Sequence, residues 1–162
     1  KLRVGLLKGG NASVIEDVKK IMKETDGLPV LMNTVTQHGW VKGICSGGFE
    51  QLICVLDEKY SFDLICANSL EIKGGKFTGQ VDKRIVDADI KLDGVLHLQK
   101  QADISSEQVI VLGDGANDIK MIEAAALGIA YHAKPMVQQM APYCINFSDL
   151  TAVALLLELN TK

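Results

Sequence analysis

The sequence predicts an α/β fold: a Rossmann-like parallel sheet flanked by helices. Three observations carry this. Strand-like and helical runs alternate along the chain. The strand-like runs, among them "VKGIC", "FDLICAN" and "VIVLG", are apolar on both faces, as strands between helix layers are. Two of them end in "SGG" and "GDG", and parallel sheets bind ligands beyond the carboxyl ends of their strands.

The elements follow in order. "KLRVGLLKGG" reads as the tail of a helix that has lost its beginning, since the chain opens at Lys1 without a Met. Val14, Ile15, Val18, Ile21 and Met22 recur at helical spacing, with Asn11 or Ser13 as cap and "TDGLP" as terminator. A second helix is expected from about Pro29 to Gln37, stopping at Gly39. "WVKGICSGG" reads as a short buried strand entering a glycine turn, "FEQLICVLDEKY" as a helix and "FDLICAN" as a strand. "LEIKGGKFTGQV" is a β-hairpin signal, because Gly74 and Gly75 tolerate positive φ. Leu92, Val95 and Leu96 are expected on one face of a helix running to about Ala102. "VIVLGD" is the most apolar strand. "NDIKMIEAAAL" reads as a helix ended by Gly128. "GIAYHA", "PMVQQMA" and "YCINF" follow as strand, short helix and strand. "SDLTAVALLLEL" closes the chain as a helix capped by Ser148 or Asp149. Repeats, low-complexity tracts and long linkers are absent from the sequence.

Composition narrows the function classes. The chain has 162 residues, 48% apolar and 23% charged, enough apolar content for one globular core. A net charge of −3 and a pI near 5.6 argue against nucleic acid and anionic membranes as partners. No apolar run reaches the ~18–20 residues a bilayer span needs. Cys45, Cys54, Cys66 and Cys144 lack CxxC spacing, so the reading is buried thiols of a cytoplasmic protein, with a disulfide or zinc role as the alternative. His38, His97 and His132 show no partner pattern and are expected in structural or surface roles.

The chemistry gathers at the strand ends. Asp114 terminates "VIVLG" between two glycines, and Asp118 follows in the first turn of the next helix. Clustered carboxylates repel unless a cation sits between them, and a hard ion such as Mg²⁺ suits oxygen ligands. Alternatively, Asp118 only stabilises a helix N-terminus. Ser46, before Gly47 and Gly48, offers a hydroxyl and free amides to an anion, a pattern also found in ordinary helix caps. It lacks the G-x-S-x-G elbow of a serine hydrolase. Lys91 follows the acidic Asp87-Ala-Asp89 and is either solvated or neutralises an anionic pocket.

"ICSGGF", "ANSLEIKGGKFTG", "IVDADIK", "GDGANDIKMIEAAALGIAYHAKP" and the late "DL" resemble, in order and spacing, the phosphoserine phosphatases of the haloacid dehalogenase superfamily. The resemblance covers essentially the whole chain. It implies residues 1–28 as the remnant of a helical cap and 29–162 as a haloacid dehalogenase-like α/β core, with a hairpin insertion at about 70–81. It implies Mg²⁺-dependent hydrolysis of L-phosphoserine to L-serine and phosphate. Ser46 and Gly47 would hold the phosphoryl group, and Lys91 would balance its charge. Asn117 would contact the phosphate side, and Asp114 would bind Mg²⁺. Asp118 would orient a metal-bound water and the lysine. Arg3 would grip the substrate carboxylate.

One departure stands out. The family opens with a strand ending in D-x-D-x-T, whose first Asp is the nucleophile that forms an aspartyl-phosphate. No such motif stands here, and Asp87-Ala-Asp89 lies in the lysine segment without a following Thr. The family's first strand lies mid-sheet, between the "VKGICSG" and "VIVLGD" strands. Without it those edges are expected to pair directly, to borrow a strand through self-association, or to leave the fold marginal. The chain alone is therefore expected to be inactive. The other readings are a non-catalytic phosphate- and metal-binding module and a phosphatase of another small phosphomonoester.

Overall fold

The computed structural model describes residues 2–82 and 84–159; Lys1, Lys83 and residues 160–162 lie outside it. A single helical turn, α1 (Leu2–Gly5), leads to α2 (Val14–Ile21) and α3 (Leu28–Gln37). Ser13 precedes α2 without capping it, and its own N–H donates to Asn11 Oδ1 at 2.9 Å. The α2 helix ends at Ile21, before "TDGLP". The α3 helix stops as expected, with Gly39 in the left-handed region.

Strand β1 (Gly43–Phe49) runs into α4 (Glu50–Tyr60), and β2 (Leu64–Asn68) lies parallel to β1. The hairpin is β3 (Leu70–Lys73) and β4 (Lys76–Val81), turned by Gly74 and Gly75 at φ 57° and 73°. The loop after α1 pairs with it: Gly9 N–H donates to Phe77 O (2.9 Å) and Ala12 N–H to Gly75 O (2.8 Å). Nothing in the sequence signalled that arm.

Helix α5 (Ala88–Ala102) starts before Lys91 because Asp87 caps it, accepting from Ile90 N–H at 3.0 Å. Its inward face is Lys91, Gly94, Val95 and Gln99; Leu96 is exposed, contrary to expectation. The reason is Gly94, where a Cβ would fall 2.6 Å from Cys45 Sγ, so the helix sits close over β1 and β2 on that side.

The second sheet is β5 (Ile110–Gly113), β6 (Leu127–Tyr131) and β7 (Tyr143–Ile145), all parallel. Between β5 and β6 runs α6 (Ile119–Glu123), and between β6 and β7 runs α7 (Pro135–Met140). The α6 helix is half the expected length. Gly128 does not end it but lies inside β6, where a Cβ would stand 2.1 Å from Ile122 O. This close strand–helix contact requires glycine. Helix α8 (Thr151–Leu159) closes the chain, and Asp149 Oδ1 accepts Thr151 N–H at 2.8 Å.

Two apolar clusters hold the layers. Val95, Val111, Met121, Ile122, Ala130 and Val137 pack on one face of the second sheet. Leu31, Met32 and Val35 of α3 and Leu150, Val153 and Ala154 of the α8 region pack on the other, against Leu112, Tyr131 and Ile145. Full burial of one such aliphatic side chain contributes ~1.5–3 kcal/mol.

The strands β1 and β5 belong to separate sheets and do not pair. Direct pairing, the first outcome expected for those edges, is not what the fold adopts. Helix α5 instead spans both halves, touching β1, β2 and α6. Strand β1 accordingly has no fully buried residue, where a buried strand was expected. The thiols also differ from expectation: Cys45, Cys54 and Cys66 are half-buried, Cys144 is exposed, and all four are free. Among the described residues no helix is long and apolar enough to cross a membrane.

Candidate active site

The strand ends position the polar residues. Cys45 pairs with Cys66 and Phe49 with Asn68, so Ser46, Gly47 and Gly48 bulge out of the ladder at the carboxyl end of β1. The expected glycine turn is thus a bulge inside a strand, and α4 begins only at Glu50. Gly48 N–H donates to Ser46 Oγ at 2.9 Å, which occupies one of the amides expected to face an anion. Ser46 is half-buried and Gly47 exposed.

At the end of β5, a tight helical turn (Ala116–Asp118) folds the chain back. Asp118 Oδ2 accepts the N–H groups of Asp114 and Gly115, both at 3.0 Å. Asp118 Oδ1 accepts from Lys91 Nζ at 2.5 Å. The lysine is 5% and the aspartate 3% exposed, so this is a buried ion pair. Removing two charges from water is costly, and the two amides on Oδ2 offset part of that cost. Asp118 makes no cap bond to α6, but its Oδ2 closes the N-terminus of the preceding turn by accepting Gly115 N–H, so the helix-terminus reading holds alongside the bond to Lys91.

The flanking glycines have a local explanation. A Cβ at Gly113 would stand 2.4 Å from Asp118 Cβ, and one at Gly115 would stand 2.7 Å from Asn117 Oδ1. They make room for the folded-back side chains, whatever ligand approaches. A Cβ at Gly47 would lie 3.8 Å from Asn117 Nδ2, so the two strand ends meet there.

The structure therefore brings together Gly47 with Asn117, and Lys91 with Asp118. Cys45 lies alongside: burial, then Cys66, pushes its thiol up to about 11, with the Lys91 ammonium acting in the opposite sense. Arg3 is exposed on α1, which packs on β4, and no described contact joins it to this cluster. The Asp87-Ala-Asp89 pair is engaged elsewhere: Asp87 caps α5, and Asp89 pairs with Lys120 Nζ.

Asp114 is exposed, and no described residue bonds its carboxylate. Among the described residues no group of three or more His, Cys, Asp or Glu converges to hold a metal. Mg²⁺ commonly takes one or two carboxylates together with water and substrate phosphate. Asp114 fits one such position.

Residues 83–157 match the model of the haloacid dehalogenase-like hydrolase family. A phosphoserine phosphatase of Haemophilus influenzae is 39% identical over the whole chain, which covers 52% of that protein. A phosphoserine phosphatase of Streptococcus thermophilus is 36% identical over 96% of this chain and 73% of its own length. This chain belongs to the phosphoserine phosphatase family. The crystal structure of a probable phosphoserine phosphatase from Vibrio cholerae, in unliganded form, superposes with a TM-score of 0.90 at 38% identity. That match covers 99% of this chain and 51% of the other. The chain thus spans about half the length of several phosphoserine phosphatases it matches.

Sequence reading passed over one buried polar residue beside this cluster. Asn68 ends β2 with Nδ2 donating to Gly47 O at 2.8 Å and Oδ1 accepting from Val86 N–H at 2.9 Å. An asparagine closing an apolar strand before a hairpin was its only signal.

Proposed function

We propose that this chain is the phosphate-gripping part of a Mg²⁺-dependent phosphoserine phosphatase, whose complete form hydrolyses L-phosphoserine to L-serine and phosphate in the cytoplasm. The buried Lys91–Asp118 pair, beside the meeting of Gly47 and Asn117, is the observation that carries this reading. A buried ammonium is well suited to balance a phosphoryl group, whose transfer depends on positioning and charge neutralisation. In this reading Ser46 and Gly47 hold the phosphoryl oxygens, Lys91 offsets their charge and Asn117 contacts them. Asp118 fixes the lysine through Oδ1 and would orient a water held by the bound Mg²⁺. Asp114 supplies one ligand to Mg²⁺, which when bound neutralises charge on the phosphoryl group. Arg3 serves the substrate carboxylate. Residues 1–28 belong to the cap, and residues 29–162 form the core, with the hairpin at about 70–81 as an insertion.

Covalent catalysis needs a nucleophile. The D-x-D-x-T aspartate that the resemblance implies is not among these residues, so the chain by itself is a binding half. The unpaired edges of β1 and β5 support a further element of the reading, self-association through a borrowed strand.

A panel of phosphomonoesters tests this on the chain joined to the upstream segment of its longer relatives. Phosphoserine should be the preferred substrate, and Lys91→Met should lower kcat/KM by at least ~100-fold. Preference for another ester would favour a different small-molecule phosphatase. Phosphate binding without any turnover would favour a non-catalytic module, a reading that the engagement of Asp87 and Asp89 supports.

A further inference from the structure

Asn68 is 6% exposed, and both ends of its side chain are used. Its amide orientation is fixed by chemistry: Nδ2 faces a carbonyl and Oδ1 faces an N–H, so the reversed amide would oppose like groups. The two partners lie in different parts of the site. Gly47 belongs to the bulge at the end of β1, and Val86 begins the approach to α5, the helix that carries Lys91. The neighbouring backbone is anchored independently. Gln51 Nε2 donates to Leu70 O at 3.0 Å and its Oε1 accepts Leu70 N–H at 3.1 Å, while Asp82 N–H donates to Ser69 O at 2.9 Å. Asn68 therefore projects from a fixed strand end and can act as a rigid tie.

We infer that Asn68 is a positioning residue whose side-chain amide locks the Ser46–Gly48 bulge to the segment launching the Lys91 helix. The hydroxyl and amides of one element and the ammonium of the other then keep one relative geometry. Its value for phosphate binding rests on the phosphoryl-site reading above; the tie itself does not.

Asn68→Asp separates the two bonds, because an ionised carboxylate still accepts from Val86 N–H but cannot donate to the Gly47 carbonyl. Amide hydrogen exchange, taken relative to each amide's intrinsic rate, reads the result on the 162-residue chain. In Asn68→Asp at pH about 8, exchange at Gly48 should speed at least ~10-fold, while Val86 and Val111 keep their wild-type rates. In Asn68→Ala both Gly48 and Val86 should speed. Inorganic phosphate titrated into the same samples should shift the Gly47 and Gly48 amides, with affinity at least ~10-fold weaker in Asn68→Asp than in wild type at pH about 8. Unchanged exchange at Gly48 would overturn the inference. So would faster exchange spread equally over Val111, which would make Asn68 a prop for the whole fold. Measurable phosphate binding of equal affinity in both proteins would overturn its positioning role. If wild type ignores phosphate while the exchange contrast holds, the phosphoryl-site reading fails and the tie stands.

Discussion

At the scale of single residues, burial decides what each charged or nucleophilic group can do. Lys91 and Asp118 depend on each other, since neither charge has water to fall back on. Removing one partner of a buried pair typically costs ~3–5 kcal/mol. Asp118→Asn should lower the unfolding free energy measured in urea by that amount, and Lys91→Met combined with Asp118→Leu should recover part of the loss. A single-variant midpoint equal to wild type would show that the pair is open to solvent. Asp114 has the reverse situation, an exposed carboxylate with no described partner. Asp114→Asn should abolish Mg²⁺ binding in calorimetry with little effect on the urea midpoint; unchanged affinity would remove it from the ligand set. Cys45 gives a pH prediction. Its thiol is raised from an ordinary 9.0 to about 11, chiefly by burial. Stability from the protonated thiol is therefore fully present below pH 9 and is lost as pH rises through about 11. Thermal melts should fall across that window more steeply for wild type than for Cys45→Ala.

At the scale of elements, apolar periodicity was a sound guide wherever an element's environment is local. The helices α3, α4 and α8 and the hairpin turn at Gly74-Gly75 were readable in this way. It failed where a tertiary contact overrode propensity. "EAAAL" looks helical, yet Gly128 must lie in β6 because only a glycine tolerates Ile122 O at 2.1 Å from its Cβ position. Leu96 looks like core, yet Gly94 sets the face of α5 that meets β1 and β2. Around the cluster, Asp118 and Gly47 could be singled out because carboxylate and glycine residues follow apolar strands, whereas Lys91 and Asn117 were placed beside them by the family resemblance. Asn68 was not legible, since its role depends on two backbone groups distant in sequence. Close approach also makes a test. Gly128→Ala should destabilise by ~1–3 kcal/mol through overpacking. Ile129→Ala, one residue on, should cost ~2–5 kcal/mol through the cavity it leaves under a fully buried side chain. Thermal or urea unfolding distinguishes both from a neutral surface change such as Lys20→Ala.

At the scale of the whole molecule, the described residues form two parallel sheets that share a helix and not a strand, beside the antiparallel hairpin. Helix α5 carries the coupling: Gly94 meets Cys45 of β1, Val95 joins the core with Val111 of β5, and Lys91 reaches Asp118 beyond β5. This arrangement holds Gly47, Lys91, Asn117 and Asp118, the proposed phosphate site, near one another. Among the described carboxylates that the sequence singled out, Asp118 has both oxygens engaged, Asp87 caps a helix and Asp89 pairs with Lys120. Asp114 remains, and its proposed work is to hold a metal ion. The D-x-D-x-T aspartate that the family resemblance implies as nucleophile does not stand in this sequence. The purified 162-residue chain, free of host phosphatases, should therefore show no phosphoserine turnover above the buffer rate at saturating Mg²⁺. It should nonetheless shift its Gly47 and Gly48 amides on adding inorganic phosphate. Robust turnover would mean that one of these carboxylates acts as nucleophile. Asp114→Asn and Asp89→Asn, assayed side by side, would then show which one.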